Sequence, residues 1–159
     1  GTVHTADVLN IVPPQKAGWI ADRAGVTDAS GWVPVRAGSF ESAQVAGVHV
    51  VGDATIAAPM PKSGFCANAQ GKVAAMAIAA DLAGRTPPPA SFANTCYSLI
   101  GPDYGISVAG VYAADGDAVV EIEGSGGVSP MDADAAFRKA EADYGAGWYA
   151  AISADIWGA

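Results

Sequence analysis

Hydrophobic positions in the first third of the chain fall in short runs separated by turn residues. Ala6 to Val12 (ADVLNIV) predicts a buried strand, stopped by Pro13 and Pro14. Gly18 to Ala24 predicts a short helix ended by Gly25. Gly31 to Val35 and Val48 to Val51 are β-branched runs that predict two more strands. A long helix is then predicted from Ser63 or Gly64 to Ala83, stopped by Gly84. Its apolar positions Phe65, Ala69, Val73, Met76 and Ala80 stand at helical spacing.

Pro87-Pro88-Pro89 favours a stiff extended connection, and the pattern changes after it. Thr95 to Ile100, Ile106 to Ala113 and Ala118 to Glu123 predict three strands, with turns at Gly101-Pro102-Asp103 and Asp115-Gly116-Asp117. Gly124 to Gly127 closes the sheet, and a final helix starts at Asp132 or Asp134, where an acid suits the helix dipole. Phe137, Ala140, Tyr144, Trp148 and Ala151 predict its apolar stripe, with Gly145 and Gly147 as points of interruption. The expected architecture is an α/β piece joined to a small α+β domain of three antiparallel strands and a helix.

Charge supports a boundary at the prolines. Residues 1–86 carry six basic and six acidic residues, whereas residues 87–159 carry two basic and ten acidic ones, so the net charge of −8 lies wholly in the second half. Such a surface argues against nucleic acid, which needs clustered Lys and Arg. It suits either a solvated acidic face or a basic protein partner. At 51% hydrophobic and 15% charged residues the chain is globular in composition. Two cysteines, Cys66 and Cys96, and two histidines, His4 and His49, lack the spacing of metal ligands. The longest apolar stretch, Val73 to Leu82, is too short to span a bilayer. The chain opens on Gly1 at the run-in to the first predicted strand, with no visible signal peptide, and is read as a piece of a longer protein.

The first motif with chemical content is Val48 to Ala54, VHVVGDA. Gly52 lets a ligand approach the backbone, and Asp53 at the end of a strand accepts a hydrogen bond from a sugar-like hydroxyl. The helix that follows offers free N–H groups and the positive end of its dipole. Taken alone, the same residues read as an ordinary turn with an Asx cap. Gly71-Lys72 is not a P-loop, because the spacing after Gly64 is wrong and no Ser or Thr follows the lysine. Cys96 alone reads as a buried, inert thiol, and Trp148 as a core residue.

The order of strand, helix, strand, strand ending in Gly52-Asp53 and long helix resembles the second FAD-binding segment of the pyridine-nucleotide-disulfide oxidoreductases. DVLNIVPPQKAG (Asp7 to Gly18), APMPKSGFCANAQGK (Ala58 to Lys72), NTCYS (Asn94 to Ser98), YGISV (Tyr104 to Val108) and Gly147-Trp148-Tyr149 with Trp157-Gly158 look more closely like flavocytochrome c sulfide dehydrogenase. The resemblance covers nearly the whole chain. It implies that residues 1–14 end a NAD(H)-like middle domain. Residues 15–86 then form the C-terminal segment of a Rossmann-like FAD-binding domain, and residues 87–159 a C-terminal domain of this flavoprotein.

The resemblance also implies site roles. Asp53, after Gly52, binds the ribityl chain of FAD, and the backbone of Lys62, Ser63, Gly64 and Phe65 faces the flavin. Cys96 matches one of two redox cysteines, whose partner lies in an N-terminal part not present here, and Trp148 matches a tryptophan limiting access to that disulfide. The family oxidises sulfide at a disulfide over the flavin and passes electrons through FAD to a cytochrome c subunit in the periplasm. Lys62 stands where its charge can stabilise reduced flavin; its plain reading is a surface lysine. Cys66 is expected to be a passive thiol, and a Cys66–Cys96 disulfide is a minor alternative. By itself the chain is expected to be inactive and to bind FAD weakly or not at all. Two other readings stay open: a sulfide:quinone oxidoreductase-like flavoprotein, disfavoured by the acidic last helix, and a non-catalytic module that docks the cytochrome or forms a dimer.

Overall fold

The structure is a computed structural model and describes residues 1–158. A short helix, α1 (Trp19–Arg23), leads into a strand, β1 (Val33–Pro34). A 3-10 turn at Gly52–Ala54 runs straight into β2 (Thr55–Ile56), which pairs with β1 in parallel. The long helix α2 (Gly64–Leu82) follows. Beyond the prolines come β3 (Ser91–Gly101), β4 (Tyr104–Asp115), β5 (Ala118–Glu121) and β6 (Gly127–Val128), and then α3 (Ala135–Trp157). β3, β4 and β5 form an antiparallel meander, and β6 shares with β5 the far side of β4. The molecule is thus mixed α/β, with two sheets and three helices among the described residues.

The helix boundaries follow local chemistry. The Ser63 hydroxyl caps α2 by accepting from the Cys66 N–H at 3.1 Å, and the Asp134 carboxylate caps α3 by accepting from Phe137 N–H at 2.8 Å. Gly25 and Gly84, both with positive φ, stop α1 and α2.

Several expectations are corrected. Ala6 to Val12 is not a strand. It runs exposed, with Val8 88% accessible, and pairs with no strand of either described sheet. Val48 to Val51 also forms no strand and makes only a single bridge from His49 to Glu41, so the strand near Gly52-Asp53 follows that pair. The buried side of α2 is Cys66, Gln70, Val73, Ala74, Ala77 and Ala80, while Met76 faces solvent. On α3 the buried residues are Arg138 and Ala142, and the expected stripe members Phe137, Tyr144 and Ala151 are exposed. The second sheet has four strands, not three.

Gly145 and Gly147 do not interrupt α3. A Cβ at Gly145 would lie 3.3 Å from Tyr97 Cβ, so the glycine allows the helix to press on β3. The tightest contact is at Gly105 in β4, where a Cβ would meet Ala142 N at 2.5 Å and Glu141 C at 2.7 Å. Helix and strand backbones touch there. Strand alternation puts Gly105 and Tyr97 on the face covered by α3, and Phe92, Asn94, Cys96 and Tyr112 on the opposite face.

The main core lies on that opposite face and crosses the proline run. It unites Ala37, Phe40, Ala57, Met60, Cys66, Val73 and Ala74 with Phe92, Tyr112 and Val119. Phe40 and Phe92 meet edge to face, with ring centroids 5.6 Å apart. Burying each ring contributes about 1.5–3 kcal/mol. A smaller cluster of Ala17, Ala21, Val26 and Val33 seats α1. The seam between α2 and α3 is closed by the ion pair of Lys72 Nζ and Asp155 Oδ2 at 2.7 Å.

Gly105→Val is expected to destabilise the chain by about 1–3 kcal/mol, because the strand or α3 must shift. Gly147→Ala, with no atom within 4 Å of the added Cβ, should instead stabilise it by up to about 1 kcal/mol. Urea unfolding of both variants measures the contrast.

Candidate functional site

The start of α2 is the corner at which most of the chemically suggestive residues meet. Gly52, Asp53, Lys62, Ser63 and Cys66 line a cleft of about 180 Å³, together with Trp32, Thr55, Ile56, Met60 and Gln70. Its walls are largely apolar, with polar groups grouped at Asp53, Lys62 and Ser63.

Gly52 has φ +77°, a conformation that favours glycine, and an added Cβ would touch Ala67 Cβ at 3.4 Å. Its N–H donates to Gln70 Oε1 at 2.6 Å, and Gln70 in turn points its amide nitrogen at Met60 Sδ, 3.2 Å away. Gln70 is buried, so this link fixes the Gly52 turn to the second turn of α2. Asp53 is exposed at the turn.

Lys62 donates to the carbonyls of Asp53 at 2.5 Å and Thr55 at 2.7 Å, and its ammonium lies 3.9 Å from the centroid of the Trp32 ring. Partial burial lowers its pKa from the ordinary value, against the opposing pull of Asp53. The lysine is therefore a built part of the cleft wall, with one ammonium proton left for another acceptor.

The two thiols stand on one side of this corner. Asn94 of β3 is buried, and its Oδ1 accepts from Ser63 Oγ at 2.6 Å and from Cys66 Sγ at 3.3 Å. Its Nδ2 donates to Cys96 Sγ at 3.4 Å. Both cysteines are free; Cys66 is buried and Cys96 exposed. Burial raises the Cys66 pKa, the Ser63 contact opposes that, and the nearby Cys96 and Asp53 add to the rise.

Trp148 of α3 stacks on Phe65 with centroids 5.5 Å apart and planes 7° from parallel, and its edge comes within 4.0 Å of a Cβ built at Gly64. Tyr97 flanks it at 6.4 Å. Trp148 thus stands against the first turn of α2 and is only partly buried.

All the sequence-selected residues therefore gather around the start of α2: Gly52, Asp53, Lys62 and Ser63 on the cleft, Gly64 beside Trp148, and Cys96 joined to Ser63 through Asn94. Sequence reading missed Asn94, Gln70 and Trp32. Asn94 sits inside the quoted NTCYS motif, two residues before Cys96 and on the same strand face, which is the signal that marks it. Gln70 likewise sits inside the quoted APMPKSGFCANAQGK motif. Trp32 carries no such signal, since only the tertiary fold brings it to Lys62. Among the described residues no cluster of His, Cys, Asp and Glu is placed to hold a metal ion.

Comparison with known families bears on the second half of the chain. The family model described as flavocytochrome c sulphide dehydrogenase, flavin-binding, matches residues 88–157. That stretch is similar to the family's flavin-binding domain and makes up less than half of the chain. The match begins within the proline run and ends at the last residue of α3, so it contains Cys96 and Trp148 and the whole four-stranded sheet. The match agrees with the resemblance read from the sequence and supports a flavoprotein role for this part of the chain.

The residues present suit such a ligand. An apolar slot accepts a ring, the Gly52 turn leaves its rim without a side chain, and Asp53, Lys62 and the first N–H groups of α2 offer polar partners. The slot is smaller than the roughly 300–1,000 Å³ of a complete ligand pocket, so it makes one wall.

The raised Cys66 pKa predicts a pH effect on stability. Above pH 9.0, the ordinary thiol value, the unfolded chain loses this proton while the folded chain keeps it. The contribution is complete below pH 9.0 and is lost as pH rises from there through the folded-state pKa. Cys66→Ala should flatten that decline in urea unfolding followed as a function of pH.

Proposed function

We propose that this chain forms one wall of an FAD site in a periplasmic flavoprotein that oxidises sulfide and passes electrons to a cytochrome c subunit. The observation that carries the reading is the hydrogen-bonded chain Ser63–Asn94–Cys96, which ties the thiol to the start of the helix lining the cleft. The Gly52-Asp53 turn and α2 belong, in this reading, to the second half of a Rossmann-like domain. Its first half is supplied by an N-terminal part of the protein.

Asp53 is exposed at the cleft edge and accepts a hydrogen bond from the ribityl hydroxyls. The N–H groups of Gly64 and Phe65 and the free proton of Lys62 face the electron-rich side of the ring. FAD, when bound, supplies a two-electron acceptor that returns electrons one at a time to the cytochrome.

Cys96 is one sulfur of a disulfide whose other cysteine lies in the N-terminal part. Hydrosulfide attacks that disulfide, because a strained, accessible S–S bond is the group that a sulfur nucleophile opens. Asn94 Nδ2 donates to Cys96 Sγ and stabilises the sulfur as it takes up negative charge. Trp148, braced by Phe65 and Tyr97, narrows the approach. The acidic surplus of residues 87–159 suits a basic cytochrome surface.

The test mixes this chain with a separately expressed N-terminal half from a family member and FAD. Sulfide should bleach the flavin absorption, and Cys96→Ser should abolish bleaching while leaving FAD bound. Asp53→Ala should weaken FAD binding by about tenfold, the loss of one good hydrogen bond. A mixture of folded halves that binds FAD and ignores sulfide would overturn the substrate. Undiminished bleaching in Cys96→Ser would overturn the thiol assignment.

A further inference from the structure

Cys66 was expected to be a passive thiol, and its burial agrees with an inert core residue taken alone. Besides its apolar neighbours in the main core, Cys66 Sγ lies 3.3 Å from Asn94 Oδ1. That same oxygen is 3.8 Å from Cys96 Sγ, and the nitrogen of the same amide is 3.4 Å from it. One side-chain amide thus touches both sulfurs. The two cysteines come from separate elements, the first turn of α2 and the middle of β3, whose facing sides form the main core.

Their exposures divide the work. Cys96 is open to small molecules, and Cys66 is 1% exposed. An external reagent therefore meets Cys96 first.

We propose that Cys66 and Cys96 form a redox-active dithiol, with Cys96 as the entry thiol and Cys66 as its resolving partner toward low-molecular-weight disulfides. In the first step the Cys96 thiolate attacks one sulfur of RS–SR, forming Cys96–S–SR and expelling RS⁻. In the second, Cys66 gives its proton to the expelled thiolate, and its sulfur attacks Cys96 Sγ and expels the other RS⁻. The S–S bond of the reagent breaks, a Cys66–Cys96 bond forms, and two electrons pass from the two cysteines to the reagent.

Exposure fixes the order of the steps, since Cys96 is open to the reagent and Cys66 is buried. Because one amide contacts both sulfurs, bonding them to each other requires the Asn94 side chain to give up at least one of these contacts. The inference stands on this thiol cluster and is independent of the flavin assignment. It gives Cys96 a second fate beside pairing with a cysteine of another segment.

The test uses the chain without flavin or sulfide. The folded protein is treated with oxidised glutathione under native conditions, quenched with acid at intervals and mapped by peptide mass spectrometry. The expected result is a Cys66–Cys96 disulfide, with glutathione on Cys96 only as a passing species. In Cys66→Ala and in Cys66→Ser the mixed disulfide on Cys96 should accumulate to about one per chain, and in Cys96→Ser glutathione should add at least tenfold more slowly. Near-UV circular dichroism identifies which variants are folded, and either Cys66 variant suffices. A wild-type chain that keeps glutathione on Cys96 beside a free Cys66 thiol would overturn the proposal. So would a disulfide that forms only in urea concentrations that unfold the protein.

Discussion

The contact between α2 and β3 is the constraint on which the rest of this molecule depends. The stretch from Gly84 to Pro89 is exposed and without regular structure, so it cannot by itself fix the sheet against the helix. Apolar burial does that, through Phe92, Tyr112 and Val119 from the sheet side and Phe40, Met60, Val73 and Ala74 from the other. Within this seam Ser63 and Asn94 are bonded to each other, which satisfies two polar groups that burial would otherwise penalise. A charge boundary and a core boundary therefore do not coincide. The acidic surplus begins after the prolines, yet the hydrophobic core is continuous across them.

Once α2 is seated, the position of every candidate group follows. Its first turn carries Ser63 as cap, Cys66 on the core side and Phe65 on the side of α3. Its second turn carries Gln70, which clamps Gly52. From the opposite side of the sheet, α3 comes close enough for backbone contact at Gly105 and then reaches past β3 to stack Trp148 on Phe65. Small residues at Gly105 and Gly145 permit that approach, and larger ones would hold the helix away. The cleft and the thiol pair are thus two products of one helix start, separated by the Cys66 side chain that borders both.

Much of this was legible in the linear pattern. Helix α2 was placed to within a residue, because Ser63 is a strong cap and Gly84 a strong stop. The three longer strands were found from alternation and from the turns at Gly101–Asp103 and Asp115–Asp117. Ala6 to Val12 failed for a reason that pattern cannot carry: a strand needs a partner, and apolar content does not supply one. The stripe on α3 failed because the side facing the sheet is chosen by steric fit. The small Ala142 and Gly145 face the sheet, while Tyr144 faces solvent.

What the sequence by itself determined is local: where helices begin and end, where the chain turns and how charge divides at the prolines. These depend on backbone geometry and residue type over a few positions. What only the tertiary structure decided is which distant groups meet: Asn94 between two thiols, Gln70 on the Gly52 turn, Trp32 beneath Lys62 and Trp148 on Phe65. Apart from Asn94 and its strand neighbour Cys96, those pairings lie 18 to 83 residues apart along the chain. They exist because burying one shared core fixes every element at once, and no local pattern encodes that result.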